Sequence, residues 1–504
     1  MRHAIVPILL VLAMLACNFP TTSVGVAGTP VPLPTLASTP LGAVVPPPTL
    51  PATRDPSLPI NTPTPDVART LPTVRGGTIE YIVRPNDYLN AIAEQFGVTL
   101  EELIAANNLA DPNQLEVGQI LLIPPQTPVD PGPDFKIIPD SELVNGPAAL
   151  SFDVAAFVEA HPGYLKQFRE EVDQVFMSGA QIVQRVATEY SVNPKLLLAV
   201  LEYQSGWLSD ANPRTSTLNF PMGVSDVWRI GLYRQLSWAA DRLNQGYYDW
   251  KGGLVAGWHT TDSVFVPASP SINNGTAGVQ YMFSLLYPQG QWRDIVSAGG
   301  FDSTYTALFG YPFDLAIEPL LPVGLSQPGM QLPFEPGVPW VFSGGPHGGW
   351  GDGSAWAALD FAPPDMLGCN TGEEWIVAVA DGLIVRSENG VVVQDLDNDG
   401  YEQTGWTVLY LHVAEQGRVR AGEPVKAGDR IGHPSCEGGF VTATHLHLAR
   451  RYNGEWILAS GAIPFSLDGW VSASSGILYD GVLQRDGQTV EACECRDPAH
   501  MLQR

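Results

Sequence analysis

A multidomain chain is what the sequence predicts: a small βααβ module, an all-α unit and a mainly antiparallel β unit. Three observations carry this expectation. The 504 residues exceed the size at which a single hydrophobic core keeps growing, so two or three folded domains plus linkers are expected. Proline-rich stretches then break the chain into units strung one after another, with breaks at 18–77, 126–150 and around 319–339. Between the breaks the apolar period changes, from a short strand–helix–helix–strand pattern, to helical spacing, to short valine-rich strands with glycine turns. An apolar fraction of 45% is ordinary for globular protein, whereas 45 prolines and only 15% charged residues place long extended segments between the folded parts. A formal net charge of −26 argues against nucleic acid or anionic lipid as a partner of a basic face, because phosphate binding relies on Lys and Arg displacing counterions. Neutral sugars and peptides remain open.

The N-terminus, residues 1–17, reads as an export signal: Met1-Arg2-His3, an apolar run from Ala4 to Ala16, then Cys17. Met14-Leu15-Ala16-Cys17 resembles a bacterial lipobox, which implies a lipid on Cys17 that anchors the chain to the membrane facing the cell wall. An ordinary signal peptide or an uncleaved anchor also places the remainder outside the cytoplasm, since the run is short for a spanning helix. Residues 18–77, dominated by Pro, Thr, Ala and Val, predict an extended spacer. With Cys17 lipidated, Cys369, Cys436, Cys493 and Cys495 remain, and in an oxidising compartment two bridges have three possible connectivities.

In 78–125 the first strand is Tyr81-Ile82-Val83, helical periods follow at Ala91-Ile92-Ala93 and Leu103-Ile104-Ala105, and a closing strand ends Ile120-Leu121-Leu122-Ile123-Pro124. Leu89, Ile92, Leu103 and Ile120 are the expected core. Over its whole length this segment resembles a LysM domain. The resemblance implies a βααβ fold that binds N-acetylglucosamine chains between two loops, with Asp87, Tyr88, Asn108 and Leu109 as contacts. The usual Gly-Asp-Thr of the family stands here as Asn86-Asp87-Tyr88.

Residues 151–325 are helix-rich and tryptophan-rich after the 126–150 linker. Asn193 as cap with Pro194 in the first turn starts a helix through Leu196-Leu197-Leu198 to Gln204-Ser205-Gly206-Trp207. This looks like the start of a lysozyme-like domain, and Asn273-Asn274-Gly275 to Tyr281 is similar to a second helix of that family. The residue aligned with the catalytic glutamate is Gln204, however, and an amide has no proton of suitable acidity for a glycosidic leaving oxygen. Glu202 lies about 200° around the helix axis, on the opposite face. The domain is expected to be inactive as a glycosidase.

Residues 330–481 hold five of the nine histidines. His347 follows Gly344-Gly345-Pro346, Asp360 stands in Leu359-Asp360-Phe361-Ala362-Pro363, and His412 closes Tyr410-Leu411-His412. His445-Leu446-His447 comes after Cys436-Glu437-Gly438-Gly439. Successive side chains of a strand alternate, so His445 and His447 share one face. Two imidazoles on one face are half of a metal site, since catalytic zinc takes three protein ligands and keeps one position open; two exposed histidines on a strand fit the pair alone equally well. The set of motifs, with the turn Gly428-Asp429-Arg430-Ile431-Gly432, resembles the lysostaphin-like metallopeptidases, and the Gly-x-His and Cys-Glu-Gly-Gly features resemble their β-lytic branch. The resemblance implies one Zn2+ held by His347, Asp360 and His447, with His412 and His445 as catalytic histidines beside it, and hydrolysis of peptide bonds in peptidoglycan. Which histidine moves the proton stays open. Asp395, Asp397 and Asp399, in a run ending at Gly400, read either as a calcium loop of hard oxygen donors or as a solvated acidic hairpin tip. Residues 482–504 read as a tail. Peptidoglycan is the expected partner, and a non-catalytic wall-binding scaffold is the rival function.

Overall fold

The computed structural model describes residues 76–504, apart from 85–86, 110, 113–114, 126–129, 365–367, 440 and 496. Cys17 and the spacer lie outside the described residues. Among those described, no helix is long and apolar enough to cross a membrane.

The first domain runs β1 (Ile79–Ile82), α1 (Leu89–Phe96), α2 (Leu100–Asn107) and β2 (Ile120–Ile123), with β1 antiparallel to β2. A capping box starts α2: the Glu102 N–H donates to the Thr99 hydroxyl and the Thr99 N–H donates to the Glu102 carboxylate. Leu89, Ile92 and Leu103 are buried as expected, but Ile120 is exposed. Strand alternation turns Leu121 and Ile123 inward instead, a one-residue correction of register.

The helical domain comprises α3 (Asp140–Leu143), α4 (Val154–Ala160), β3 (Arg169–Val172), β4 (Val175–Ser178), α5 (Gly179–Tyr190), α6 (Pro194–Ser205), α7 (Thr215–Asn219), α8 (Leu232–Gly252), β5 (Gly257–His259), β6 (Phe265–Pro267), α9 (Asn274–Ser284), α10 (Gln289–Ile295) and α11 (Phe301–Phe309). The Asn193 side chain accepts from the Lys195 N–H at 3.0 Å, and Pro194 occupies the first turn of α6. That helix is buried almost all round from Leu196 to Leu201, which makes it the centre of the core. Two departures from expectation follow from short elements. The hairpins β3–β4 and β5–β6 are too brief to show a strand period, so the domain is not all-α. Likewise 126–150 is not linker throughout: Ile137, Ile138, Leu143 and Val144 are buried in the helical core, and Asn273 donates to Ile138 O at 2.7 Å.

The β domain contains β7 (Trp340–His347), β8 (Ala358–Ala362), β9 (Ile376–Val377), β10 (Gly382–Glu388), β11 (Val391–Asp395), β12 (Trp406–Leu411), β13 (Pro424–Val425), β14 (Arg430–Gly432), β15 (Leu446–Tyr452), β16 (Glu455–Trp456), β17 (Ser466–Leu467), β18 (Trp470–Ser474), β19 (Gly481–Arg485), β20 (Gln488–Glu491) and β21 (Met501–Leu502). Its main antiparallel sheet has the order β13-β10-β11-β12-β15-β8-β7-β21, with β16 beside β15. The expected tail is therefore structured: β20 pairs with β19, and β21 closes the sheet edge against β7, with Leu502 buried. Two-residue strands carry no readable period, which is why the sequence hides this closure.

The helical and β domains are not separate beads. Ser191 Oγ donates to Gly454 O at 2.6 Å, the Gly353 N–H donates to Asp241 Oδ1 at 2.8 Å, and the Trp456 N–H donates to the Tyr248 hydroxyl oxygen at 2.9 Å. Lys251 pairs with Glu455, whose side chain is 3% exposed.

Candidate metal centre

Four neighbouring strands, β12, β15, β8 and β7, bring the centre together. His447 on β15 stands opposite Asp360 on β8, and Leu411, the last residue of β12, stands opposite His447 on its other side. On β7, Gly344 faces Asp360, and a register shift between Gly344 and His347 swings the histidine round to the same site. The Gly-Gly pair has a steric cause. A Cβ at Gly344 would lie 2.8 Å from Asp360 Oδ2, and one at Gly345 would lie 2.6 Å from the Asp480 carbonyl carbon.

His347, Asp360 and His447, all buried, each offer one atom within 4.8 Å of the others. Asp360 Oδ1 is 3.2 Å from His347 Nε2 and 3.2 Å from His447 Nδ1. His445 Nε2 is 3.7 Å from Asp360 Oδ2, and the His412 and His445 ring centroids are 4.7 Å apart. The structure thus places all five residues in one pocket wall.

Backbone carbonyls fix the ring tautomers. His347 Nδ1 faces Gly345 O at 2.8 Å, His412 Nδ1 faces Glu437 O at 2.9 Å, His445 Nδ1 faces Ala443 O at 2.8 Å and His447 Nε2 faces Gly349 O at 3.1 Å. A carbonyl only accepts, so each of these nitrogens carries a hydrogen, and in the neutral ring the opposite nitrogen presents a lone pair. Consequently the lone pairs of His347 Nε2 and His447 Nδ1 face each other at 2.9 Å, beside an Asp360 Oδ1 that is buried and accepts no hydrogen bond of adequate geometry. Three acceptors converging without a donor need a cation between them. Two nitrogens and a carboxylate oxygen form a catalytic zinc donor set, so the residues present fit the metal.

Electrostatics agree with this grouping. Burial pushes the Asp360 carboxyl up, but His347 and His445 outweigh it and hold it well below the usual range. Burial lowers His347 and the Asp360 charge reverses that, leaving it raised; burial dominates at His447, which is lowered. His412 is pushed down to about 3 by burial, with His445 and His447 adding to it, so it is neutral. It also sits at φ +68°, a left-handed conformation costing a β-carbon residue about 1–3 kcal/mol. Ser435 N–H and hydroxyl donors on its carbonyl, at 2.7 and 3.0 Å, hold it there.

Sequence reasoning passed over Tyr479 and the backbone carbonyls that orient the rings. Tyr479 stacks on His347 with centroids 4.2 Å apart; it lies in no motif. The carbonyls of Glu437 and Gly349 orient His412 and His447, and the Cys-Glu-Gly-Gly string signals the first of these. Cys436, next to Glu437, is bridged to Cys369, and Cys493 to Cys495, one of the three pairings open to the sequence. His433 donates to Glu374 O at 2.9 Å beside Trp375, outside the centre.

The other candidate residues lie elsewhere. Asp87 accepts from the Tyr81 hydroxyl and the Arg84 N–H, both at 2.7 Å, so it ties its own loop. Tyr88 is exposed, Asn108 caps α2 in the left-handed conformation, and Leu109 packs partly on the module core. Asp395, Asp397 and Asp399 bring carboxylate oxygens within 4.8 Å of one another, and Asp395 accepts the N–H groups of Asp397, Asn398 and Gly400. Gln204 donates to Met222 O at 3.1 Å and accepts from the Tyr287 hydroxyl, while Glu202 accepts from the Leu208 and Ser209 N–H groups.

Comparison with known proteins finds matches to three family models: the LysM domain over residues 81–124, the LasA N-terminal domain over 136–321 and peptidase family M23 over 365–458. Protease LasA of Pseudomonas aeruginosa is 26% identical over 344 residues, which cover 64% of this chain and 75% of that protein. N-acetylmuramoyl-L-alanine amidase XlyA of Bacillus subtilis is 46% identical over 48 residues, 10% of this chain and 16% of that one. Among solved structures, the M23 metalloprotease pseudoalterin is 22% identical with a TM-score of 0.28, over 36% of this chain and 100% of its own. The catalytic domain of lysostaphin from Staphylococcus simulans is 25% identical with a TM-score of 0.18, over 25% of this chain and 89% of its own. Along its length the chain is thus similar, in order, to a LysM domain, to the N-terminal domain of LasA and to peptidase family M23.

Proposed function

We propose that this chain is a zinc endopeptidase that hydrolyses peptide bonds in the stems or cross-bridges of peptidoglycan. The observation that carries the reading is the convergence of His347 Nε2, His447 Nδ1 and the orphaned Asp360 Oδ1, three acceptors that face one another. The likeness to protease LasA supports a peptide substrate, and the LysM match supports a wall polymer.

When bound, zinc would polarise the scissile carbonyl and acidify a water molecule. His347, Asp360 and His447 would hold it, and the carbonyls of Gly345 and Gly349 keep the two rings turned inward. His412 and His445 present unprotonated Nε2 atoms toward the same space. Each can orient the attacking water by accepting its hydrogen bond, and one of them takes its proton. The LysM domain, through Asp87, Tyr88, Asn108 and Leu109, tethers the enzyme to glycan outside the cytoplasm, and a lipid on Cys17 anchors it to the membrane. The helical domain cleaves no glycan, because Gln204 replaces the acid and Glu202 is occupied by its own loop. A structural Ca2+ at Asp395, Asp397 and Asp399 is a second proposal, favoured by an Asp397 carboxyl that burial and its neighbours Asp395 and Asp399 push up to about 7; calcium would raise the thermal midpoint of the wild type and not of Asp397→Asn.

Metal analysis of purified protein combined with mass spectrometry of treated peptidoglycan tests the main reading. Stoichiometric zinc and new amino termini are expected. Protein without zinc that leaves the wall intact, yet still binds it, would instead identify a scaffold.

A further inference from the structure

The string Cys436-Glu437-Gly438-Gly439 reaches the metal centre through the Glu437 carbonyl oxygen, which accepts from His412 Nδ1 at 2.9 Å. That oxygen belongs to a peptide that could turn over easily. The residue after it is Gly438, at φ +75°, and Gly439 follows at φ +85°; glycine takes either sign of φ at little steric cost. Gly390, in the turn between β10 and β11, leaves room for the peptide, since a Cβ there would lie 2.5 Å from Glu437 O. Glycines permit this geometry without enforcing it, so the aim of the carbonyl has to come from Cys436 and Glu437.

Each of the two supplies a tie. The Glu437 carboxylate accepts from the Glu415 N–H, with both oxygens at 2.9 Å, which fastens it to the chain just past His412. The Glu437 N–H donates to Ser435 Oγ at 3.0 Å, and the same hydroxyl donates to His412 O. Cys436 is bridged to Cys369, in the segment that holds Thr444. There the Thr444 N–H donates to Gly368 O and the Asn370 N–H to Thr444 Oγ1, both at 3.0 Å. Ser435 also pairs across an isolated β-bridge with His445. The disulfide therefore joins the segments beside His412 and His445, apart from the carbonyls of Gly345 and Gly349 that turn His347 and His447.

We propose that Glu437 is a positioning residue for His412: its carboxylate, together with the Cys369–Cys436 bridge, holds the Glu437 carbonyl on Nδ1 and so keeps Nε2 as the acceptor that faces the attacking water. This rests on the endopeptidase reading of the same site. The Arg418 guanidinium lies 3.5 Å from the carboxylate, but the Glu437 side chain is 43% exposed, and an exposed ion pair contributes little. The tie that matters is the accepted Glu415 N–H, which an amide oxygen accepts as well. Glutamine can therefore stand in for Glu437, and alanine cannot. Loss of aim acts on turnover, because His412 holds the water most closely in the transition state, whereas the peptide substrate and the metal have other contacts.

The test uses the full zinc-loaded chain, with release of amino termini from soluble cross-linked muropeptides as the activity. Glu437→Ala should lose roughly tenfold in kcat, the lower end of the range for removing a supporting partner, with KM and zinc content unchanged. Glu437→Gln should stay within about twofold of the wild type, since the acceptor remains. Cys369→Ser/Cys436→Ser should lower kcat as Glu437→Ala does and keep its zinc. A Glu437→Ala protein with wild-type kcat, or a Glu437→Gln protein as impaired as the alanine variant, would overturn the proposal. A second measurement does not depend on cleavage. In 15N-histidine-labelled protein the His412 ring signals, assigned by their loss in His412→Ala, should show a single tautomer with the hydrogen on Nδ1, and Glu437→Ala should mix the two tautomers. An unmixed tautomer in Glu437→Ala counts against the proposal whatever its kcat. A wild type that releases no amino termini, but whose His412 tautomer is mixed by Glu437→Ala, sinks the endopeptidase reading and keeps the positioning; full cleavage by Glu437→Ala does the reverse.

Discussion

At Gly344 a methyl group would come within 2.8 Å of Asp360 Oδ2, so the missing side chain is what leaves the carboxylate free to face the two rings. Gly344→Ala is expected to shift Asp360 and weaken zinc binding by about 10- to 100-fold, the range for disturbing the support of a metal ligand; competition with a zinc-binding dye measures it. Removing a ligand outright is harsher. His447→Ala should leave the far-ultraviolet circular dichroism unchanged while zinc content and cleavage fall below detection, because the site drops to two donors. How much of the site is legible in the sequence depends on atom type. The motifs point to His347, Asp360, His412, His445 and His447, which the structure brings into one wall, because a side-chain donor needs a particular residue. The carbonyls that set the tautomers belong to Gly345, Glu437, Ala443 and Gly349, and a backbone oxygen asks little of the residue that carries it. Tyr479 escapes for a related reason: ring stacking on His347 leaves no spacing rule behind.

Pairing between strands holds those residues in place, and one buried ion cluster pins the pairing. Glu402, after the acidic tip, meets Arg386 of β10 at 3.1 Å and Arg451 of β15 at 2.7 Å. Burial pushes its carboxyl up, but the two guanidinium groups outweigh burial and hold it below its usual value. A depressed folded pKa means that the stabilisation is complete above the unfolded value, about 4.3, and is lost as pH falls through the folded one. Glu402→Gln should therefore cost about 3–5 kcal/mol at neutral pH, as for breaking a buried pair, and should flatten the acid limb of stability against pH; urea midpoints across pH 7 to about pH 3 would show both. A variant with an unchanged acid limb would remove Glu402 as the source. Elements long enough to carry an unbroken apolar run, such as α6 or β12, are readable from their apolar residues alone. β21 and the hairpin β5–β6 are not, because at two or three residues alternation cannot be told from chance, and burial in 126–150 is masked by its prolines.

Across the whole molecule two kinds of connection differ in consequence. The helical and β domains both line the cavity over the metal centre and are joined by buried polar contacts, so substitutions at their junction should act on chemistry. Lys251→Met leaves Glu455, which burial already raises against the pull of Lys251, without its cation, and is expected to lower both stability and turnover. The LysM module has its own core of Tyr81, Val83, Leu89, Ile92, Leu103, Leu121 and Ile123, and its candidate glycan contacts do not line the metal cavity. Deleting 78–125 is therefore expected to weaken attachment to intact wall while leaving kcat/KM on a small soluble peptide within about twofold. The physical basis is effective concentration: a tethered sugar-binding module raises the density of substrate around the groove without touching the transition state, so it adds avidity and no catalysis. Sedimentation with wall fragments reads the first effect and peptide hydrolysis the second. Should the deletion slow the soluble peptide as severely as His447→Ala, the module would have to form part of the active site itself, and the separation of attachment from chemistry would fail.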